Sequence, residues 1–317
     1  MQTFIAKRLM LAVPTVLAVM TVVFFSLYFA PGDPVTMMIP PDLEGEAREE
    51  MVERLRAQMG FDRPLHIQYL AYLSRTLQGD LGRSIRHRTP IAEDLAGRIP
   101  ATLQLGLFAM IISVVLGVGF GIVSAVRRDT IVDNATMVGA LFGVSIPNFF
   151  FGYVLMLLFG LYWRVLPPSG FGGSIFSWEG LRYAIMPAVT LGTSSAAVLA
   201  RFTRSSMLDV INQDYVRTAR AKGLSQRIVI FRHALRNALI PVVTLLGMSV
   251  GAMLSGSVIT ESVFAWPGVG RYMIGAINSR DFPVVQATVL LVAVAFVSAN
   301  FVTDLTYAII DPRIRYD

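Results

Sequence analysis

Residues 9–29 form an uncharged run of 21 residues, and at about 1.5 Å per residue such a helix spans roughly the 30 Å hydrocarbon core of a bilayer. Further uncharged runs occupy 102–126, 134–163, 183–200 and 237–260, and a final apolar segment, 283–310, carries the single charge of Asp304. A segment that crosses lipid must satisfy its own backbone hydrogen bonds, so repeated runs of this length restrict the chain to transmembrane helices. Composition agrees: 54% of residues are hydrophobic, 15% are charged and the mean hydropathy is +0.60, too apolar for an ordinary soluble domain. The expectation is an all-α polytopic membrane protein with six transmembrane helices, one within 1–30 and the others at 102–126, 136–161, 185–204, 239–260 and 284–310. A signal peptide competes for the first run, but cleavage after Ala30 would place the bulky Tyr28 at the −3 position, so the helix is expected to be retained.

Two stretches are of different material. Residues 31–100 hold eleven acidic and nine arginine residues and read as a polar insertion, with helices expected at 46–59 and 65–77 and with Gly60, Pro64, Gly79 and Gly82 as punctuation. Residues 214–241 form a basic interruption between two apolar segments, and read as two helices with a break. Asp214 suits the N-cap of the first, Lys222 complements its C-terminal end, and Gly223 supplies a residue that can turn left-handed. The second would run from Leu224 towards Asn237, with Leu224, Ile228, Phe231 and Leu235 on one narrow face. On charge alone, an ordinary basic loop that obeys the positive-inside bias is the favoured account of this stretch.

Orientation follows from the basic residues. One side receives Lys7, Arg8, Arg127, Arg128, eight basic residues between 201 and 236, Arg313 and Arg315, whereas the short loops of the other side hold only Arg164, Arg182, Arg271 and Arg280. The positive-inside bias then makes both termini cytoplasmic, places the 31–100 insertion outside and the 209–237 loop inside, and leaves 311–317 as a cytoplasmic tail. The formal charge of +6 is thus explained by membrane topology and lipid contact, without a nucleic-acid partner.

Chemistry-bearing motifs are few. Gly117 and Gly121, Gly139 and Gly143, and Gly247 and Gly251 have the GxxxG spacing that lets helix backbones approach closely. Pro14, Pro147, Pro187 and Pro241 would each free a backbone carbonyl, and the run 145–148, with Pro147 and Asn148, could line a cavity or simply kink a helix. Residues 247–251 match GxSxG around Ser249, but a nucleophile elbow requires a strand-to-helix turn, and this one lies in an apolar helix. The histidines, His66, His87 and His233, are scattered, no metal-ligand spacing occurs, and there is no cysteine. Asp304 lies inside the last apolar run, where a carboxylate is either a pathway residue or a helix-helix contact. It supports an alternative class, a self-sufficient secondary transporter or channel. Neither of the two lysines, Lys7 and Lys222, sits in a phosphate-binding loop, so an ATP-driven process would need another chain to hydrolyse the nucleotide.

The 214–241 stretch resembles the EAA loop of the permease subunits of binding-protein-dependent ABC importers. Aligned on Gly223, the three signature positions are Arg217, Thr218 and Ala219, with arginine in place of glutamate, and the closing pattern becomes Leu239-Ile240-Pro241. In this form it looks like the peptide/nickel branch. Other landmarks of that branch are Ala30-Pro31-Gly32-Asp33-Pro34, Gly79-Asp80-Leu81-Gly82-Arg83-Ser84 and Arg98-Ile99-Pro100-Ala101-Thr102-Leu103. Further on come Ser145-Ile146-Pro147, Leu166-Pro167-Pro168-Ser169-Gly170, Glu261-Ser262-Val263-Phe264, Trp266-Pro267-Gly268-Val269-Gly270 and Asp311-Pro312-Arg313-Ile314-Arg315. The long insertion after the first helix is similar to that of the B-type subunit.

The resemblance implies a type I ABC importer permease fold, with a small periplasmic insertion after helix 1 and a permease core over 101–310. It implies a non-catalytic subunit of the bacterial inner membrane that moves di- or oligopeptides, or a related small solute, from periplasm to cytoplasm. Its partners would be a C-type permease, two cytoplasmic ATPases that bind ATP and magnesium, and a periplasmic solute-binding protein. Tyr215, Arg217, Thr218, Ala219, Arg220, Lys222, Gly223 and Leu224 would form the ATPase-coupling element. Pro147, Asn148, Gly247, Gly251 and Asp304 would serve the pathway or helix packing.

Overall fold

A computed structural model describes residues 2–29, 35, 36, 39 and 43–310; the motifs 30–34 and 311–315 and the expected tail lie outside these. The described residues are almost entirely helical. The helices are α1 (Gln2–Tyr28), α2 (Glu46–Met59), α3 (Leu65–Leu77), α4 (Ile91–Val126), α5 (Ile131–Ser145), α6 (Asn148–Leu155), α7 (Trp178–Ile211), α8 (Asp214–Ala221), α9 (Gln226–Ile228), α10 (Leu235–Val263), α11 (Val269–Asn278) and α12 (Phe282–Ile310). By length and apolarity α4, α7, Gln226–Gly247 and Phe282–Leu305 can each cross a membrane, and α1 carries the shorter apolar stretch Met10–Ser26. α5 and α6, the latter prolonged by the π-helical Met156–Tyr162, form a bent pair.

α7 is the axis of the bundle: 61% of its apolar stretch is buried, against 22% for α4 and for α12. Small residues make this possible. A Cβ on Gly117 would lie 2.6 Å from Leu199 Cβ and 2.8 Å from the Ala196 carbonyl, and one on Gly121 would lie 2.8 Å from the Ala200 carbonyl. Gly192 of α7 returns the contact, its missing Cβ falling 2.6 Å from the Ala109 carbonyl. The expected GxxxG packing therefore joins α4 to α7, and the pairings 109 with 192, 117 with 199 and 121 with 203 show the two helices running parallel. In consequence the 127–130 loop and α8 share one end of the bundle, while the insertion and α11 share the other.

Several boundaries differ from the sequence expectation. α4 starts at Ile91 instead of 102, with Pro100 inside it, because Ile91 and Leu95 are buried against Val269, Ala276, Val284 and Ala287. That burial keeps the helix going through a proline whose missing N–H would otherwise favour a stop. The single helix expected at 136–161 is broken at Ile146 and Pro147 by 105°. Gly143 of α5 packs on Ala197 and Gly152 of α6 on Thr190, so the pair advances along α7 across the break.

The second helix of the basic stretch is not a separate element. α9 passes through a π-helical segment, Val229–Ala234, directly into α10. The π segment inserts an extra residue into the turn and shifts the face that meets protein to Val229, Ile230, Ala234 and Ala238. Leu224, Ile228 and Phe231 of the expected stripe stay exposed on the outside of the bundle.

The insertion is a compact cap. α2 and α3 have the expected limits, and Gly60 terminates α2 with a left-handed φ of 72°. α3 sits on α1 through a 2.6 Å hydroxyl contact between Thr21 and Tyr69 and through the rings of Phe24, Tyr69 and Tyr72.

Candidate functional site

α8 carries one polar and one apolar face. Val216 and Ala219, three residues apart, are buried with Val229 and against Val210, which mounts α8 on the ends of α7 and the 226–263 helix. Tyr215 reinforces the mount: its hydroxyl accepts from Asn237 Nδ2 at 2.7 Å. Met207, Ile230, Ala234 and Ala238 continue the seam beneath, and Ser206 Oγ donates to the Ala238 carbonyl at 2.8 Å. Asp214 is already helical and the N-cap is Gln213, one residue earlier than expected. The carboxylate instead lies in the first turn, where the helix dipole favours it. Lys222 follows the last helical residue, and Gly223 makes the turn with φ +79° and open space where its Cβ would be. Conformation, not crowding, therefore requires glycine there.

The remaining face is presented outward. Tyr215, Arg217, Thr218, Arg220, Lys222 and Leu224 are exposed, with Thr218 Oγ1 bonded back to the Asp214 carbonyl at 2.9 Å. Arg217 stands 3.9 Å from Asp214, and both side chains are well exposed, so the pair adds little rigidity. A short, rigidly seated helix with a basic outward face can act as a docking plug.

The expected pathway residues are not gathered in one place. Pro147 and Asn148 lie at the α5–α6 break, Pro147 as the residue before α6. Gly247 packs on Thr303, where a Cβ would collide with the threonine side chain, and Gly251 lies within α10. Asp304 pairs with Arg8 Nη1 at 3.0 Å, which makes it a contact between α12 and α1. Ser249 Oγ donates to Leu245 O within α10, the bond of an ordinary helical serine. No group of histidine and carboxylate side chains able to hold a metal occurs among the described residues.

Sequence reasoning missed three buried carboxylates that hold the bundle together. Asp133 receives Arg204 Nε and Nη2, each at 2.7 Å, together with Ser124 Oγ and the Asp129 N–H at 3.0 Å, and so ties α5, α7 and α4 at the α8 end. Glu261 is fully buried and accepts from Thr102 Oγ1 at 2.8 Å and the Arg271 N–H at 3.1 Å. The Trp266-Pro267-Gly268-Val269-Gly270 turn wraps this carboxylate closely, Trp266 Nε1 donating to the Ala101 carbonyl at 2.9 Å. Asp281, in the turn before α12, accepts from Ser84 Oγ at 2.5 Å and from the N–H groups of Ile85 and Arg86 at 3.1 and 3.2 Å, and so clasps the insertion to the bundle. Each acid stands at the edge of an apolar run, and that position is the signal that could have found it. Beside the clasp, Tyr272 donates to Asp94 Oδ2 at 2.9 Å; burial first, and then the Asp94 carboxylate, push its phenol up, so it stays a neutral donor.

Residues 1–106 match the family "Binding-prot-dependent transport system membrane comp, N-term", and residues 117–316 match "Binding-protein-dependent transport system inner membrane component". The chain is 43% identical to the Glutathione transport system permease protein GsiC of Salmonella choleraesuis (strain SC-B67), covering 100% of both chains. It is 40% identical to the Dipeptide transport system permease protein DppB of Escherichia coli (strain K12), covering 100% of this chain and 99% of that one. The chain belongs to the permease subunits of binding-protein-dependent ABC importers. The permease shares its fold with the solved MetNI methionine ABC transporter in an inward-facing form, at a TM-score of 0.55 and 18% identity over 70% of this chain and 98% of that one. A second solved relative in fold, an amino acid ABC transporter, gives a TM-score of 0.54 at 15% identity over 68% of the permease and 93% of that chain. The permease is thus a non-catalytic, multi-pass inner-membrane subunit of an importer, not a carrier that works alone through Asp304.

Proposed function

We propose that the permease moves small peptides, glutathione-like or dipeptide-sized, inward across the membrane, and that α8 with Gly223 and Leu224 is the element through which a separate ATPase drives it. The observation that carries this is the mounting of α8: its buried Val216 and Ala219 fix it to α7 and the 226–263 helix, and its outward face of Tyr215, Arg217, Thr218, Arg220 and Lys222 is left for a partner. A push on α8 is therefore delivered to two long helices at once, as rigid-body switching of a bundle requires. The cargo class is supported by the names of the two full-length relatives, a glutathione and a dipeptide permease.

In this reading the α8 end faces the cytoplasm and the insertion faces the periplasm, the orientation that the basic residues favour. Residues 31–100 then form the periplasmic part, 101–310 the permease core and 209–237 the coupling loop. A C-type permease completes the path, two cytoplasmic ATPases bind ATP and magnesium, and a periplasmic binding protein delivers cargo to the insertion side. The chain has no cysteine, so an Arg217→Cys variant carries the only thiol of this subunit. In the assembled importer a short bifunctional reagent should join that thiol to an ATPase subunit, whereas the same thiol at Phe176, an exposed residue at the opposite end, should give no such product. Cross-linking from Phe176 but not from Arg217 would reverse the orientation and remove α8 from the coupling role.

A further inference from the structure

At the end of the bundle opposite α8, a pocket of about 370 Å³ opens between the clasp, the start of α4 and α11, lined by Arg86, His87, Arg98, Arg271, Tyr272 and Asp281 among others. Its charge balance is unusual. Asp281 is 3% exposed, and its two oxygens are already taken by Ser84 Oγ and the N–H groups of Ile85 and Arg86. Asp94 nearby is likewise occupied by Thr89 Oγ1 at 2.7 Å and the Tyr272 hydroxyl at 2.9 Å. The hydrogen bonds of both acids go to neutral donors, and Asp94 feels Arg98 and His87 only through space. None of the three arginines makes an ion pair among the described residues.

The arginines are nonetheless positioned. Arg98 lies over the Tyr272 ring at 4.3 Å, Arg271 Nη1 is anchored on the Ala265 carbonyl at 2.6 Å, and Arg86 is fixed at its backbone by Asp281. Three guanidinium groups around one polar pocket repel one another and present forked donors matched to a carboxylate.

We propose that this pocket is a carboxylate subsite for the cargo, in which Arg86, Arg98 and Arg271 receive the free terminal carboxylate of a peptide as it enters the permease. The inference rests on the peptide and orientation readings above and adds the group that is recognised and the residues that recognise it. An entry subsite of this kind holds its ligand through charge at an open mouth, strong enough to capture and weak enough to release onward.

The test uses the complete importer in proteoliposomes with its binding protein and a radiolabelled dipeptide bearing a free carboxyl terminus. The paired variant Arg98→Gln/Arg271→Gln should lower uptake by about tenfold, roughly the loss expected for a charge-assisted contact, while loaded binding protein docks with unchanged affinity. The Arg98→Lys/Arg271→Lys pair should recover part of the loss. Unchanged uptake in the glutamine pair overturns the proposal, and so does a loss of uptake matched by an equal loss of docking, which would make the pocket a seat for an acidic face of the binding protein. If the glutamine pair does not assemble, the exposed rim variant Arg86→Gln decides: a severalfold fall in uptake at unchanged docking supports the subsite, and full uptake overturns it. An unaltered importer that takes up no peptide at all brings down the cargo reading itself, a result distinct from a variant that transports normally.

Discussion

Arg204 closes on Asp133 through two parallel bonds of 2.7 Å across 71 residues of sequence, with one partner in α7 and the other in the first turn of α5. Arg204 lies seven residues, or about 10 Å of helix, before the end of α7 at Ile211, and a two-residue turn then leads into α8 at Asp214. The brace therefore fixes the end of α7 that carries α8. Asp133 is almost wholly buried, and removing either member of a buried pair strands the other.

Asp133→Ala and Arg204→Met should each destabilise the protein by about 3 kcal/mol, while the double variant should lose clearly less than the two single losses together. Thermal unfolding in detergent, arranged as a double-mutant cycle, measures this. A cycle with no coupling energy would remove the brace from the account.

The α4–α7 seam makes a position-specific prediction. Gly117→Ala and Gly121→Ala push a methyl group into the Ala196 and Ala200 carbonyls, each 2.8 Å from the new Cβ, and should cost about 1–3 kcal/mol. Gly119→Ala meets nothing within 4 Å and should be neutral or stabilising by up to about 1 kcal/mol. Melting temperatures of the three variants compare them directly, and equal effects at all three positions would contradict close packing at the seam.

The buried Glu261 sets a second constraint. Glu261→Gln turns an acceptor that serves Thr102 Oγ1 and the Arg271 N–H into a mixed donor and acceptor, leaving a buried N–H unpaired at a cost of about 1–3 kcal/mol. Gly268→Ala should do comparable damage, because its Cβ would overlap the same carboxylate. Limited proteolysis of the 261–271 turn should reveal loosening in both variants; wild-type resistance would mean that the carboxylate does not organise the turn.

Asp304 should be dispensable for energy coupling. Its carboxylate is held by Arg8 at 3.0 Å as a contact between α12 and α1, so Asp304→Asn should preserve ATP-driven uptake in vesicles whether or not a proton gradient is present. Uptake abolished by this substitution together with loss of gradient dependence would revive the carrier reading.

What could be read from sequence was local. α2 and α3 begin and end where glycine and proline punctuation places them, and Gly223 adopts the left-handed turn expected at the end of α8. The register of small residues announced the 117/121 packing because GxxxG spacing is itself the geometry of the contact. The misses were non-local or cumulative. The start of α4 depends on burial of Ile91 and Leu95 by residues nearly two hundred positions away. The π segment at Val229–Ala234 rotates the protein-facing side off the Leu224–Leu235 periodicity. The ties from Asp133 to Arg204, Glu261 to Thr102 and Asp281 to Ser84 span 71, 159 and 197 residues, and no window of sequence contains both partners.

The central claim is that α8 transmits the work of a separate ATPase to this subunit, and the most direct measurement is cargo-stimulated ATP hydrolysis by the reconstituted importer with residues 217–223 replaced by a serine–glycine segment. Val216 stays in place and the replacement keeps alanine at 219, so the buried mount is preserved and the complex should still assemble. The account predicts that stimulation by loaded binding protein falls to the basal rate and that uptake is lost with it. Full stimulation and uptake in the replaced complex, or uptake by the permease with no ATPase present, would contradict it.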